Sequence, residues 1–157
     1  MIDKTPSSFE YSLLLFPSAL ELTIKRMENM NKLIIDAVNK EIFLMIIGSD
    51  YIYNISHENS KTNYEKLMIL INDFLNSKNL DLTDISSLYV NKGPGSFAGI
   101  RNSLSTVKAI HLVKKIDYYC YSFEDFKLKD KIKHENIPNL CDKFKVKKNL
   151  IKPIYLS

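Results

Sequence analysis

The stretch that decides the fold is residues 92–101, which read KGPGSFAGIR. Three of the four glycines in the chain fall within it, between an apolar run and a helical pattern. Glycine allows positive φ and close backbone approach, and Pro94 fixes one φ between two such positions. We therefore predict a rigid strand-to-helix junction in which Ser96 caps a helix that begins at about Phe97.

This junction has two interpretations. The glycines could serve only the steric needs of a tight βα connection, or the free N–H groups at the helix start could bind an anion. The glycine spacing is neither that of a P-loop nor that of the dinucleotide-binding fingerprint. Arg101 lies in the first helical turn, where a cation opposes the helix dipole at a cost of about 0.3–1 kcal/mol. We therefore expect a carboxylate, an external anion or a partner to compensate it.

Hydrophobic spacing along the rest of the chain predicts an α/β domain. Strands are predicted at 33–35, 41–47, 51–56, 87–90 and 116–122, with a turn at 48–50. Helices are predicted over 61–78 and 97–115. The order strand, hairpin, helix, strand, helix, strand is that of a ribonuclease-H-like or actin-like (ASKHA) lobe. Such a lobe has two long helices packed on a mixed sheet.

Each predicted helix carries an apolar stripe with spacings of three and four residues. The first stripe comprises Tyr64, Leu67, Met68, Ile71 and Leu75. On the same helix, Ile69, Leu70 and Phe74 widen the apolar surface beyond one core-facing stripe, which favours either deep packing or a surface shared with a partner. The second stripe comprises Ile100, Leu104, Val107, Ile110 and Val113. His111 lies nearly in line with the second stripe, a position typical of a packed or half-exposed histidine rather than a ligand.

At residues 93–101 the chain resembles the TsaB family, bacterial proteins of tRNA threonylcarbamoyladenosine synthesis. Members of that family usually have threonine where this chain has Ala98. The resemblance covers about residues 31–126 and includes a first strand that ends in Asp36. It implies a motif loop made of Gly93, Pro94, Gly95, Ser96, Phe97, Gly99 and Arg101.

The resemblance also implies a function and partners. It implies a non-catalytic scaffold that binds a TsaD-like catalytic subunit, with TsaE as a further partner and tRNA contacted indirectly. The scaffold would support threonylcarbamoyladenosine formation in ANN-decoding tRNAs. In the family the two helices of this lobe form the subunit interface, and the same helices could form a homodimer. The matching interface residues are Tyr64, Leu67, Leu70, Ile71, Phe74, Leu104, Val107 and His111.

Several features expected of an active enzyme of this fold are missing from the sequence. The stretch after Asp36 reads Ala-Val-Asn and lacks the hydroxyl pair that often follows this aspartate. His57, His111 and His134 do not have the His-x-x-x-His spacing of TsaD. We therefore expect no catalytic residue, no cofactor and no metal site. Two alternatives stay open: a small nucleotide- or phosphate-binding enzyme that uses the glycine loop at 93–99, and a basic RNA-binding accessory protein.

Length and charge divide the chain into three parts. We interpret residues 1–29 as an extension or a non-native start, 30–126 as the TsaB-like first lobe, and 127–157 as a Lys-rich tail in place of a second lobe. Residues 127–152 contain nine lysines and three acids, in a chain with a formal net charge of +4. Such a segment is more often a solvated face or a disordered end than an RNA contact.

Two further features bear on where the chain works. Its two cysteines show neither a metal-binding nor a disulfide pattern, which favours a reducing cytoplasm. The apolar run Ser12–Phe16 is too short to span a membrane and lacks the flanks of a signal peptide. We therefore expect a cytoplasmic protein with no membrane contact.

Overall fold

The computed structural model describes residues 19–21 and 30–155. Our interpretation of residues 1–29 therefore falls almost wholly outside the described residues. The described part contains a five-stranded sheet with the spatial order β3-β2-β1-β4-β5. Its strands are β1 Asn31–Asp36, β2 Glu41–Ile47, β3 Ile52–Glu58, β4 Ile85–Asn91 and β5 Asp117–Tyr121. All five predicted strands are present, each displaced by at most two residues at either end.

Strand directions make the sheet mixed, as the element order predicted. β1 and β2 pair antiparallel, with Ile35 opposite Leu44, and β2 pairs antiparallel with β3. β4 lies parallel to β1, with Ile35 beside Val90, and β5 lies parallel to β4. Because β1, β4 and β5 run in one direction, their carboxyl ends meet at one edge of the sheet.

The helices follow the predicted pattern with one interruption. They are α1 Lys61–Tyr64, α2 Leu67–Ser77, α3 Phe97–Lys114 and α4 Ile137–Lys143. A single helix over 61–78 was predicted, but the structure has two helices there. Between α1 and α2 the Lys66 N–H donates to the Asn63 carbonyl, three residues back instead of the four of an α-helix. Ser96 caps α3 as predicted, since its hydroxyl accepts from the Gly99 N–H at 3.3 Å.

One face of the sheet is covered by α2 and α3, which bury most of the predicted stripes. Two residues differ from the prediction. Phe74, assigned to the widened outer surface, is only 4% exposed because it turns toward the sheet. Val113, assigned to the core stripe, is 75% exposed because the last turn of α3 projects past the core.

The opposite face is covered by residues 123–152, which we call the C-terminal segment. Its side chains Phe126, Ile137 and Cys141 are buried against Tyr89 and Tyr121 of the sheet. All nine of its lysines are exposed. The Lys-rich stretch is therefore a packed layer with a solvated outer face, and the alternative of a disordered end is wrong for these residues.

The free edge of β5 is also closed by the C-terminal segment. The Asn149 N–H donates to the Tyr118 carbonyl at 2.7 Å, and the Asn149 side chain accepts from the Tyr118 N–H at 3.0 Å. Within residues 19–21 and 30–155, no helix combines the length and the apolar character needed to cross a membrane.

Candidate functional site

The carboxyl edge of the parallel strands brings together the polar side chains that are best suited to binding or catalysis. β1 ends in Asp36, β4 ends in Asn91, and the glycine-rich loop leaves β4 directly after Asn91. In open α/β sheets this edge is the usual place for ligands. The edge is therefore the first candidate for a functional site.

The glycines of the loop allow it to touch the β1–β2 turn backbone to backbone. A Cβ on Gly99 would overlap the Ala37 carbonyl oxygen, and a Cβ on Gly95 would overlap that of Val38. Asn59 fastens the same turn, because its side-chain amide donates to the Ala37 carbonyl at 2.8 Å. The glycine pattern is thus accounted for by close packing alone.

Three of the six N–H groups in the loop 93–99 donate to acceptors inside the chain. The Ser96 N–H donates to the Val38 carbonyl at 2.8 Å, and the Gly93 N–H donates to the Asn91 side chain at 3.0 Å. The Gly99 N–H is taken by Ser96, as described above. These three donors are therefore engaged, and the close packing of Gly95 and Gly99 on the β1–β2 turn supports the steric interpretation of the junction.

Residues 151–155, which have no regular secondary structure, cross the loop from the other side. The Ile154 N–H donates to the Lys92 carbonyl at 2.8 Å, and a Cβ on Gly93, whose φ is 110°, would overlap the Ile154 carbonyl. The rings of Phe97 and Tyr155 lie 4.7 Å apart between centroids. The loop is therefore clamped between the β1–β2 turn and residues 151–155.

Asp36 is buried and has three hydrogen-bond donors around its carboxylate. They are the Val38 N–H at 3.3 Å, the Asn91 amide at 3.2 Å and His134 Nε2 at 2.8 Å. A carboxylate only accepts, so Nε2 of His134 carries the hydrogen in this contact. These contacts satisfy the buried charge from within the chain, as burial of a carboxylate requires.

His134 is held over Asp36 by aromatic rings on both sides. Its ring lies 4.2 Å from that of Phe43 and 5.7 Å from that of Phe123, measured between centroids. Cavities of about 770 Å³ and 910 Å³ lie here, and both are lined by Asp36, Asn39 and His134. A cation or ligand group bound to the Asp36 oxygen that accepts from His134 would compete with this hydrogen bond.

Next to this site Tyr121 is wholly enclosed. Burial raises the pKa of its phenol well above the usual range, and the nearby Asp36 carboxylate raises it further. Its hydroxyl has no hydrogen-bond partner among the described residues. Tyr121 therefore stays neutral and packs as a hydrophobic group at this edge. Across residues 19–21 and 30–155, no group of three or more His, Cys, Asp or Glu side chains is placed to hold a metal ion.

Sequence reasoning missed His134 as a member of the site. It weighed the histidines only for a metal-binding spacing, whereas His134 reaches Asp36 across 98 residues of chain. No local pattern signals such a pair, because the contact exists only once the C-terminal segment folds back across the sheet.

The structure divides the residues predicted for the partner interface. Five of them are buried in the chain's own core, and their contact with a partner stays a prediction that this burial does not support: Leu67, Ile71, Phe74, Leu104 and Val107. Their spacing marks the stripe of each helix that faces the sheet, and a side chain packed on the sheet does not also face solvent. Tyr64, Leu70 and His111 remain partly exposed, and the His111 ring lies 2.9 Å from the Ile116 carbonyl.

The outer surface of the helices carries other apolar side chains. Ile69 on α2 is 56% exposed, and Leu112 on α3 is 59% exposed. With Val113, described above, they form what we call the helix surface. Arg101 is also exposed on α3 and has no carboxylate partner among the described residues. Within the described residues, no internal carboxylate therefore compensates the positive charge of Arg101.

Comparisons with known proteins agree with this architecture. Residues 55–122 match the sequence model of the TsaD family, described as tRNA N6-adenosine threonylcarbamoyltransferase. No curated protein matches the sequence. The fold is similar to that of YeaZ from Pseudomonas aeruginosa, with a TM-score of 0.55 and 15% sequence identity. A structure described as an uncharacterized protein with similarity to peptidase YeaZ from Pseudomonas aeruginosa gives the same two values.

Both structural matches are partial. Each covers 59% of this chain and 43% of the other, so this chain spans less than half the length of these solved structures. At this identity the likeness establishes the fold of the lobe. The resemblance found at residues 93–101 is thereby confirmed: part of the chain matches the TsaD family, and the lobe has the fold of YeaZ (TsaB).

Proposed function

We propose that this chain is a non-catalytic, TsaB-like subunit that binds a TsaD-type catalytic subunit. Its role is to support threonylcarbamoyladenosine formation in ANN-decoding tRNAs. The match of residues 55–122 to the TsaD family and the YeaZ-like fold support this assignment. We assign the partner contact to the helix surface because the apolar side chains of Ile69, Leu112 and Val113 are exposed there, on two neighbouring helices.

An apolar helix surface of this kind suits a protein partner. Exposed apolar surface on a helix is more typical of interaction sites than of catalytic ones. Arg101 adds a cation to α3, and the helix-start dipole beside it opposes that charge, so an acidic group on the partner would stabilise both. The same surface is available for a homodimer. TsaE is a further partner on this proposal.

The carboxyl edge supports a non-catalytic role. Phosphoryl or carbamoyl transfer needs several charges positioned around the reacting group. At this edge the Asp36 carboxylate is held by His134, and the loop donors described above are engaged. This arrangement stabilises the junction and leaves catalysis to the TsaD-type partner.

Charge insertion on the helix surface tests the proposal. Ile69→Glu and Val113→Glu should each abolish co-purification with the TsaD-type subunit from the same organism, because an unpaired buried carboxylate costs several kcal/mol. Leu128→Glu is the matched control, since Leu128 is 47% exposed on the C-terminal segment. Unchanged association of folded Ile69→Glu and Val113→Glu variants would contradict the proposed surface.

A separate assay tests the non-catalytic role. The purified chain alone should neither hydrolyse ATP nor transfer threonylcarbamoyl to tRNA, and modification should appear once the TsaD-type subunit and the other pathway components are added. ATP turnover by the isolated chain that disappears in the Asp36→Asn variant would favour the enzyme alternative instead.

A further inference from the structure

A third cavity lies away from Asp36, under the C-terminal segment. It has a volume of about 270 Å³ and an apolar floor that includes Cys120, Phe144 and Val146. Its charged lining consists of Lys92, Asp125, Lys147 and Lys152. Three cations therefore converge on a small opening that contains one carboxylate.

The single carboxylate is already engaged. Asp125 accepts from Lys92 Nζ at 3.1 Å and from the Ser122 N–H at 2.9 Å. Lys147 and Lys152 are exposed, and neither has a carboxylate partner among residues 30–155. The opening thus presents uncompensated positive charge beside a low-dielectric floor, where attraction to an anion is stronger than in open water.

The local packing keeps these lysines pointing outward. Phe144 and Val146 pack toward the sheet, and Lys143, Lys145 and Lys147 alternate with them along the chain. All three lysines are exposed. Because Phe144 and Val146 hold this backbone against the sheet, the three lysines lie on the solvent side of a packed layer.

We propose that these lysines and the lysine-lined cavity form a binding surface for the phosphate backbone of RNA. Lysine ammonium groups bind phosphate oxygens as point charges and release condensed counterions from the nucleic acid. Lys143 and Lys145 lie outside the cavity lining, so the exposed cations extend beyond it and fit a chain of phosphates better than one isolated anion. This surface belongs largely to the C-terminal segment, apart from the helix surface, and does not depend on the proposed function.

The test is salt-dependent binding of an unmodified tRNA transcript to the whole chain, followed by fluorescence anisotropy. The variant is Lys147→Gln with Lys152→Gln. The matched control is Lys61→Gln with Lys66→Gln, because those exposed lysines lie beside the helix-covered face and the change in net charge is the same. Circular dichroism and the unfolding midpoint establish that both variants are folded.

The proposal predicts that Lys147→Gln with Lys152→Gln weakens tRNA binding about tenfold at moderate salt. It also predicts that the slope of log K against log salt falls by about 2, one for each lost phosphate contact. The control should change binding less than twofold. An equal loss in both variants would overturn the proposal, since net charge alone would then explain binding.

A second comparison separates an RNA backbone from a small anion. Sodium phosphate and sodium chloride at equal ionic strength should displace the tRNA equally well, because the surface makes several weak contacts. Much stronger displacement by phosphate would overturn the proposal in favour of a single-phosphate site at the cavity.

Discussion

The two faces of the sheet are closed in different ways. On one face two helices, α2 and α3, bury residues such as Ile71 and Val107 with helical periodicity. On the other, the C-terminal segment places Phe126 against the sheet from a 3-10 turn, and Ile137 and Cys141 from the short helix α4. Both layers exclude water from the sheet, but only the first has a regular repeat.

This difference leaves the two outer surfaces with different character. The helix layer exposes apolar side chains, whereas the C-terminal segment exposes nine lysines. An apolar surface favours a protein partner and a cationic one favours a polyanion. The lobe therefore offers two distinct surfaces on opposite sides of one core.

The largest expected effect comes from truncating one phenylalanine on each face. Phe126→Ala on the second face and Phe74→Ala on the helix face should each lower the free energy of unfolding by about 3–5 kcal/mol. Phe126 is fully buried and Phe74 nearly so. Urea denaturation of the two variants measures the loss. A cost below about 1 kcal/mol for Phe126→Ala, with a full cost for Phe74→Ala, would mean that the C-terminal segment only lies on the sheet.

The next effect concerns the contact that fastens the C-terminal segment to β1. His134→Ala should lower the free energy of unfolding by about 1–3 kcal/mol, because it removes a donor to a buried carboxylate. His57→Ala is the control, since no hydrogen bond of the His57 ring is found among the described residues. A double-mutant cycle with Asp36→Asn measures the coupling. Strictly additive losses would contradict a direct Asp36–His134 contact.

A smaller effect uses the two cysteines, one on each face. Burial raises the pKa of the Cys120 thiol, on the helix face, and of the Cys141 thiol, on the second face, from 9.0 to about 12. The native state therefore keeps its thiol protons above pH 9, where the unfolded chain loses them, so stability falls as pH rises from 9 toward 12. Between pH 9 and pH 10 each thiol should lower the free energy of unfolding by about 1 kcal/mol.

Cysteine variants check this assignment face by face. Cys120→Ala and Cys141→Ala should each reduce the loss of stability between pH 9 and pH 10 by a similar amount. If only Cys120→Ala reduced it, Cys141 would titrate normally in the native state, and the second face would be open to water.

The smallest effect is expected at Arg101. Arg101→Ala should leave the free energy of unfolding unchanged or raise it by up to about 1 kcal/mol, because the conflict with the helix dipole disappears. Association with the TsaD-type subunit should weaken at the same time. Thermal unfolding and co-purification of one variant give both results. A less stable chain with unchanged association would show that Arg101 serves the fold.

The sequence predicted the helix face well because periodicity carries that information. Ile100, Leu104, Val107 and Ile110 recur at helical spacing, and all four are buried. The prediction failed at Val113, where the stripe continues although the core beneath it ends. Burial depends on what lies under a residue as well as on its position in the repeat, and spacing records only the position.

The second face and the carboxyl edge were largely hidden from sequence reasoning. Ile137 and Cys141 provide a single helical spacing in one short helix, Phe126 lies outside that helix, and lysines dominate the composition of the segment. The glycine loop was found because glycine reports a local backbone demand. The role of His134 was not found, because its contact with Asp36 forms only when the C-terminal segment folds back across the sheet. No window of neighbouring residues in the sequence carries that information.

Amide hydrogen exchange of the complex with the TsaD-type subunit tests the central claim most directly. The account predicts that binding slows exchange in α2 and α3, Leu67–Ser77 and Phe97–Lys114, and leaves Ile137–Lys143 of the C-terminal segment unchanged. Slower exchange confined to Ile137–Lys143, with α2 and α3 unchanged, would contradict it and would place the protein partner on the lysine-covered face.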